Sequence, residues 1–171
     1  METSSYLTDK EFNQFDLRPE LLEGLAKAGF RYCTQIQAKA LPLVLAGIDV
    51  AGQAHTGTGK TAAFLLAIFE RLLRNPPPEH LHQERKVRAV VLAPTRELAI
   101  QIHRDAEILG EFTGLRLGLV YGGTGYEQQR SSFKDGVDVL IGTPGRFIDF
   151  FKQGVFGLKH AEVVILDEAD R

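Results

Sequence analysis

The sequence holds a single cysteine, Cys33, among 171 residues. One thiol makes neither an internal disulfide nor a cysteine-cluster metal site. Long apolar runs are also missing. The longest, residues 62–69, spans eight positions, far short of the ~20 that a membrane-spanning helix needs. The opening stretch METSSYLTDKEF is polar, so no secretory signal is expected and a cytoplasmic location is the default. Neither sign of charge dominates: 20 basic against 22 acidic residues leave a net charge of −2. A broad basic surface is thereby removed as a means of gripping nucleic acid. Any such contact must be local, through backbone amides, helix N-termini and a few arginines. No internal repeat or low-complexity tract is visible. What remains is ordinary globular composition, 44% apolar and 25% charged, at a length typical of one domain.

Strand-like and helix-like segments alternate. Leu21, Leu22 and Leu25 recur at helical spacing after Pro19, with Gly29 as the stop signal. A second helix is expected from Ile36 to near Gly47, kinked at Pro42. A short strand over 48–52 and a helix over 61–74 follow. The segment 75–85 carries three successive prolines and reads as an inserted loop, not a domain boundary. Strands are expected over 87–93, 115–121, 137–141 and 162–166, with helices over 95–111, 125–134 and 144–153 between and after them. Continuous apolar strands alternating with helices predict an α/β fold: a parallel sheet with helices on both faces. Ligands of such sheets bind at the carboxyl ends of the strands.

Two motifs carry phosphate chemistry. The strand expected over 48–52 runs into Ala54-His55-Thr56-Gly57-Thr58-Gly59-Lys60-Thr61 and then a helix. Glycines let the backbone curl so that several N–H groups face one anion, and the helix adds its positive end. Lys60 would reach the β- and γ-phosphates, and the Thr61 hydroxyl would ligate Mg²⁺. Ala54 stands where the generic pattern has glycine, and a flexible Gly/Thr turn is the plain alternative. The second motif is Asp167-Glu168-Ala169-Asp170, after the apolar run Val163-Val164-Ile165-Leu166. An aspartate past a buried strand suits a metal held partly through water. Glu168 can orient and deprotonate an attacking water. Alone, this motif equally fits an acidic helix start.

Together these motifs resemble those of the DEAD-box RNA helicases, over residues 12–171. Residues 167–170 spell the family's name, and the opening alanine of its first motif accounts for Ala54. Pro94-Thr95-Arg96-Glu97-Leu98-Ala99 matches its PTREL element, Gly122-Gly123 its GG element, and Thr143-Pro144-Gly145-Arg146 its TPGR element. Residues 29–37 resemble its Q motif, with Cys33 and Gln35 where proline is common. The resemblance implies a RecA-like ATP-binding domain after an N-terminal tail over 1–11. It implies ATP and Mg²⁺ as cofactors, with Lys60, Asp167 and Glu168 catalytic. Residues 54–61 would hold the nucleotide, Gln37 would read the adenine edge and Phe12 would stack on the base. A carboxamide matches adenine's donor and acceptor. Without the motif company, Gln37 reads as a solvated helix residue and Phe12 as a core anchor.

The resemblance assigns Pro94, Thr95, Arg96, Gly122, Gly123, Thr143, Pro144, Gly145 and Arg146 to the sugar-phosphate backbone of RNA. Thr143 could cap its helix and also bond a phosphate. Taken singly, a Thr-Pro helix start and a Gly-Gly turn are plain capping and turn chemistry. In this order they favour an RNA track. The family's serine-alanine-threonine motif and second RecA-like domain do not follow Arg171, so one lobe, truncated after the DEAD motif, is expected. That lobe should bind nucleotide without unwinding. Phrases such as Ala93-Pro94-Thr95-Arg96-Glu97-Leu98-Ala99-Ile100-Gln101-Ile102-His103 resemble those of one bacterial member, a resemblance that implies the RNA-decay machinery as a partner. Two other classes remain open. Another P-loop NTPase, such as a small kinase or GTPase, would be separated by nucleotide selectivity, since adenine reading through Gln37 predicts ATP or ADP over GDP. A non-enzymatic binding module is opposed by the intact Lys60, Thr61, Asp167 and Glu168. His80 and His82 lack a third metal ligand nearby and read as solvated. Phe147, Phe150 and Phe151 read as core and surface of a short helix.

Overall fold

The computed structural model describes residues 6–55, 57–78, 86–123 and 125–170. The chain divides into two compact units. The first comprises residues 1–75 and 108–114, the second residues 76–107 and 115–171. The first division falls at Asn75/Pro76, where the expected inserted loop over 75–85 begins. The strands of the four-stranded sheet all come from residue 89 onward, within the second unit. Residues 79–85, with His80 and His82, lie outside the described residues.

The first unit contains β1 (Leu7–Glu11), α1 (Pro19–Lys27), β2 (Tyr32–Thr34), α2 (Gln35–Leu45) and α3 (Lys60–Arg74). Residues 7–11, expected as tail, pair antiparallel with β2 instead. Pro19 opens α1 with its φ already helical. The Arg18 N–H donates to Glu70 of α3 at 2.8 Å, and Gly29 leaves the helix at φ +78°, a conformation only glycine adopts freely. Thr34 and Gln37 form a capping box at the start of α2. That helix runs through Pro42 to Leu45. The apolar face of α3 buries Leu65, Leu66, Ile68, Phe69 and Leu72. The strand expected over 48–52 is absent: these residues are exposed and pair with no described strand. An apolar run becomes a strand only where a neighbour takes up its N–H and C=O groups, and periodicity does not reveal the neighbour.

The second unit contains β3 (Ala89–Leu92), α4 (Arg96–Leu109, its last two residues counted with the first unit), β4 (Leu117–Val120), α5 (Tyr126–Ser131), β5 (Val139–Gly142), α6 (Pro144–Lys152) and β6 (Val163–Leu166). The four strands form one parallel sheet in the order β4-β5-β3-β6, so the fold is α/β as predicted. A core of Val90, Val120, Val137, Leu140, Phe147 and Phe150 joins strands to α6, while Phe151 is exposed. β3 and β5 are buried along almost their whole length. β6 is not: Val164 and Leu166 are 60% and 59% exposed, so one face of this edge strand is open among the described residues. Gly142 is required where it stands, because a Cβ there would run into the Val120 carbonyl. No described helix is long and apolar enough to cross a membrane.

Candidate nucleotide and nucleic-acid sites

The sheet register aligns four motif starts. Leu92 is level with Gly142 and with Leu166, and Val120 is level with Gly142. The chain leaves each strand at that same carboxyl end, into Pro94-Thr95-Arg96, Tyr121-Gly122-Gly123, Thr143-Pro144-Gly145-Arg146 and Asp167-Glu168. Backbone bonds pin the exits: Ala93 N–H donates to Gly142 at 2.9 Å, Thr143 N–H to Val120 at 3.0 Å and Asp167 N–H to Leu92 at 2.9 Å. Four separate sequence elements thus share one rim of the second unit.

At that rim Thr95 caps α4, its hydroxyl accepting the Leu98 N–H at 3.2 Å. Arg96 is exposed, its guanidinium 4.6 Å from the Tyr121 ring centre. Thr143 holds the N-cap position of α6, but its hydroxyl makes no capping bond, which corrects the expectation that it caps. Pro144 has no N–H to satisfy, and the Gly145 and Arg146 amides begin a helix end that no side chain closes. Arg146 lies over Tyr126 and Phe150, 5.0 and 5.4 Å from their centres. Gly123 has φ +98°. Pro94 is half-buried, and Gly122, Gly123, Pro144 and Gly145 are exposed. A helix end and two held guanidiniums within a polar rim suit phosphate oxygens without reading bases.

Asp167 Oδ1 accepts the Glu168 N–H at 3.0 Å. Among the described residues its Oδ2 enters no hydrogen bond, which leaves one hard oxygen donor of the kind Mg²⁺ takes. Glu168 is the one non-glycine residue described with positive φ, +49°. That strain costs on the order of 1–3 kcal/mol and turns the chain sharply at the acidic pair.

The phosphate loop belongs to the first unit. Gly57 and Gly59 have φ +82° and +91°, and Gly59 is the N-cap of α3. The Thr58 hydroxyl donates to the exposed His55 carbonyl at 2.7 Å. Lys60 Nζ donates to the Ala54 carbonyl at 2.6 Å, folding back over its own loop. Thr61 follows in the first turn of α3. Thr56 lies outside the described residues. Glycine bends, an α3 N-terminus with no side-chain cap and a lysine at its mouth together fit a polyphosphate anion.

Gln37 is nearly fully buried and its carboxamide is engaged twice. Oε1 accepts the Thr34 N–H at 2.8 Å, and Nε2 donates to the Gly59 carbonyl at 3.1 Å. A Cβ on Gly59 would collide with this carboxamide. Phe12 is 2% exposed and sits as a core anchor, with no open ring face in this conformation. Gln37 therefore links the Q-like segment to the phosphate loop, a contact the sequence does not announce.

Sequence reasoning missed Gln129 and Tyr121. Gln129 Oε1 accepts the Tyr121 N–H at 2.9 Å and Arg146 Nη1 at 3.2 Å, and Nε2 donates to the Tyr121 carbonyl at 3.1 Å. A glutamine on a short polar helix has no sequence signal that separates it from a solvated one. Missed too was the Arg88–Glu162 pair, in which Arg88 Nε and Nη2 both donate to Glu162 Oε1, at 2.9 and 2.7 Å.

Residues 34–171 match the family model described as DEAD/DEAH box helicase. Among curated proteins, the chain is 56% identical over 169 residues to the ATP-dependent RNA helicase RhlB of Erwinia tasmaniensis, covering 99% of this chain and 39% of that protein. It is 55% identical over 167 residues to RhlB of Vibrio cholerae, covering 98% and 38%. Against RhlB of Yersinia pestis it is 55% identical over 169 residues, covering 99% and 39%. The chain thus spans about two-fifths of the length of these relatives.

Proposed function

The chain belongs to the DEAD/DEAH box helicase family, and from that membership we propose that it is the ATP-binding lobe of an ATP-dependent RNA helicase. In this reading the whole protein couples ATP binding and hydrolysis to RNA binding and local unwinding in the cytoplasm. The observation that carries it is the register of the sheet, which delivers four motifs to one rim.

Residues 54–61 hold the polyphosphate, with Lys60 exchanging the Ala54 carbonyl for phosphate oxygens. By the resemblance, Thr61 and Asp167 would each offer an oxygen to Mg²⁺, which would supply charge neutralisation on the transferring phosphoryl group. Glu168 takes a proton from the attacking water at its carboxylate. Gln37 offers a donor–acceptor pair that matches adenine, and must release Gly59 or Thr34 to do so. Phe12 stacks on the base only by leaving the core. Arg96, Arg146, the Gly122-Gly123 turn and the α6 N-terminus contact the RNA backbone, and a net charge of −2 suits such sparse contact. By resemblance, a second RecA-like domain completes the site with an arginine finger. The RNA-decay machinery is a partner by the likeness to RhlB.

Calorimetric titration with ADP and Mg²⁺ tests the nucleotide half. The chain should bind ADP, and Lys60→Ala should weaken binding at least ~10-fold, as loss of charge-assisted bonds to phosphate requires. Equal affinity for both proteins would overturn the assignment.

A further inference from the structure

We propose that Gln129 and Tyr121 form a positioning bracket that presets Arg96 and Arg146 for one RNA backbone; this rests on the RNA reading above. The bracket is built from one carboxamide. β4 ends at Val120, and the next residue, Tyr121, has its N–H and its C=O both taken by Gln129. A carboxamide that bonds both polar groups of one residue substitutes for a further rung of the ladder. It fixes the residue from which the Gly122-Gly123 turn departs. The same Oε1 also accepts Arg146 Nη1, and the Tyr121 ring carries the Arg96 guanidinium. Arg146 also lies over the Tyr126 and Phe150 rings.

The two arginines come from different helices, and Tyr121 from a strand end. Nothing in the backbone ladders connects the guanidiniums to each other. Gln129 and Tyr121 do, in the order Arg96, Tyr121, Gln129, Arg146. Long cationic side chains lose much rotamer freedom on binding a phosphate. A guanidinium already held by an acceptor and a ring has lost part of that freedom beforehand. Gln129 bears no charge and needs no RNA contact; its described side-chain bonds run to Arg146 and to the Tyr121 backbone.

The test measures binding of a fluorescein-labelled single-stranded oligouridylate by anisotropy, across a salt series, for the 171-residue chain. Arg146→Ala should weaken binding and lower the slope of log K against log salt by about one phosphate contact. Gln129→Ala should weaken binding about fivefold and lower that slope too, although it removes no charge. In the Arg146→Ala background the Gln129→Ala effect should shrink, the signature of coupled residues. ADP affinity and cooperative unfolding should be retained. Should Gln129→Ala fail to fold, Gln129→Glu replaces it. The carboxylate still accepts the Tyr121 N–H, but ties Arg146 into an ion pair and repels the Tyr121 carbonyl, so the same loss is expected. An effect of Arg146→Ala with none from a folded Gln129 variant overturns the bracket and leaves the RNA reading standing. Unchanged RNA binding by Arg146→Ala, or no binding by the wild type at any salt, overturns the RNA reading instead, and the bracket with it.

Discussion

Gln37 shows how much one side chain can be asked to do. It closes the α2 capping box and holds the Gly59 carbonyl, and it is the candidate reader of adenine. Gln37→Ala should therefore have two effects. Stability should fall by about 1 kcal/mol, the usual cost of a lost cap, read as a lower urea midpoint. Preference for ADP over GDP should disappear while phosphate affinity survives in part, because a site built to hydrogen-bond a base discriminates through that bond. A mutant that keeps full preference would show that the base is read elsewhere. Cys33 makes a separate prediction. Burial pushes its thiol up from the ordinary 9.0 to about 11. The folded state thus holds a proton that the unfolded state releases sooner. Stability from this group is complete below pH 9 and declines as pH rises toward 11. Cys33→Ala should flatten that decline in urea titrations, and a thiol reagent at pH 8 should label wild type only after unfolding.

At the scale of elements, the β3–β6 edge depends on Arg88 and Glu162. Arg88 is buried at the start of β3, and its Nε and Nη2 donate to Glu162 just before β6. Its backbone carbonyl also accepts the Glu162 N–H at 2.7 Å. Glu162→Ala removes the carboxylate from a buried guanidinium and should cost about 2–3 kcal/mol, measured by urea denaturation. Since β6 places Asp167, the acidic turn should loosen as well, seen as faster amide exchange over 163–167. Gly142→Ala acts at the neighbouring pair: its Cβ would press on the Val120 carbonyl, separating β4 from β5. It should destabilise by more than a surface alanine substitution, whose effect stays within about 0.5 kcal/mol.

For the molecule as a whole, the proposal limits what this chain does alone. In that reading Glu168 and the oxygens proposed for Mg²⁺ would allow water activation, while charge stabilisation of the phosphoryl group is assigned to a facing domain. An arginine finger contributes on the order of 10³- to 10⁵-fold where its effect has been separated. The purified chain should accordingly hydrolyse ATP very slowly. RNA should not accelerate it, because stimulation requires a closed two-domain state that both ligands favour. A steady-state phosphate-release assay with and without single-stranded RNA measures this. Robust RNA-stimulated turnover would show that the facing domain is dispensable.

Local pattern by itself determined the helices 19–27 and 60–74, the four parallel strands and the motifs at their ends. Caps, glycine bends and apolar runs act within a few residues, and a linear reading captures them. The tail that became β1, the vanished strand over 48–52 and the open face of β6 were decided by tertiary structure. Each depends on whether a distant segment supplies a hydrogen-bonding or apolar neighbour, and the residues themselves do not encode which segment arrives. The same holds for the sites. Lys60 and Arg146 are legible as candidates because phosphate chemistry favours their residue types. Gln129 is not, because a neutral amide acquires its role only from the Tyr121 backbone and the guanidinium that folding brings within 3.2 Å of it.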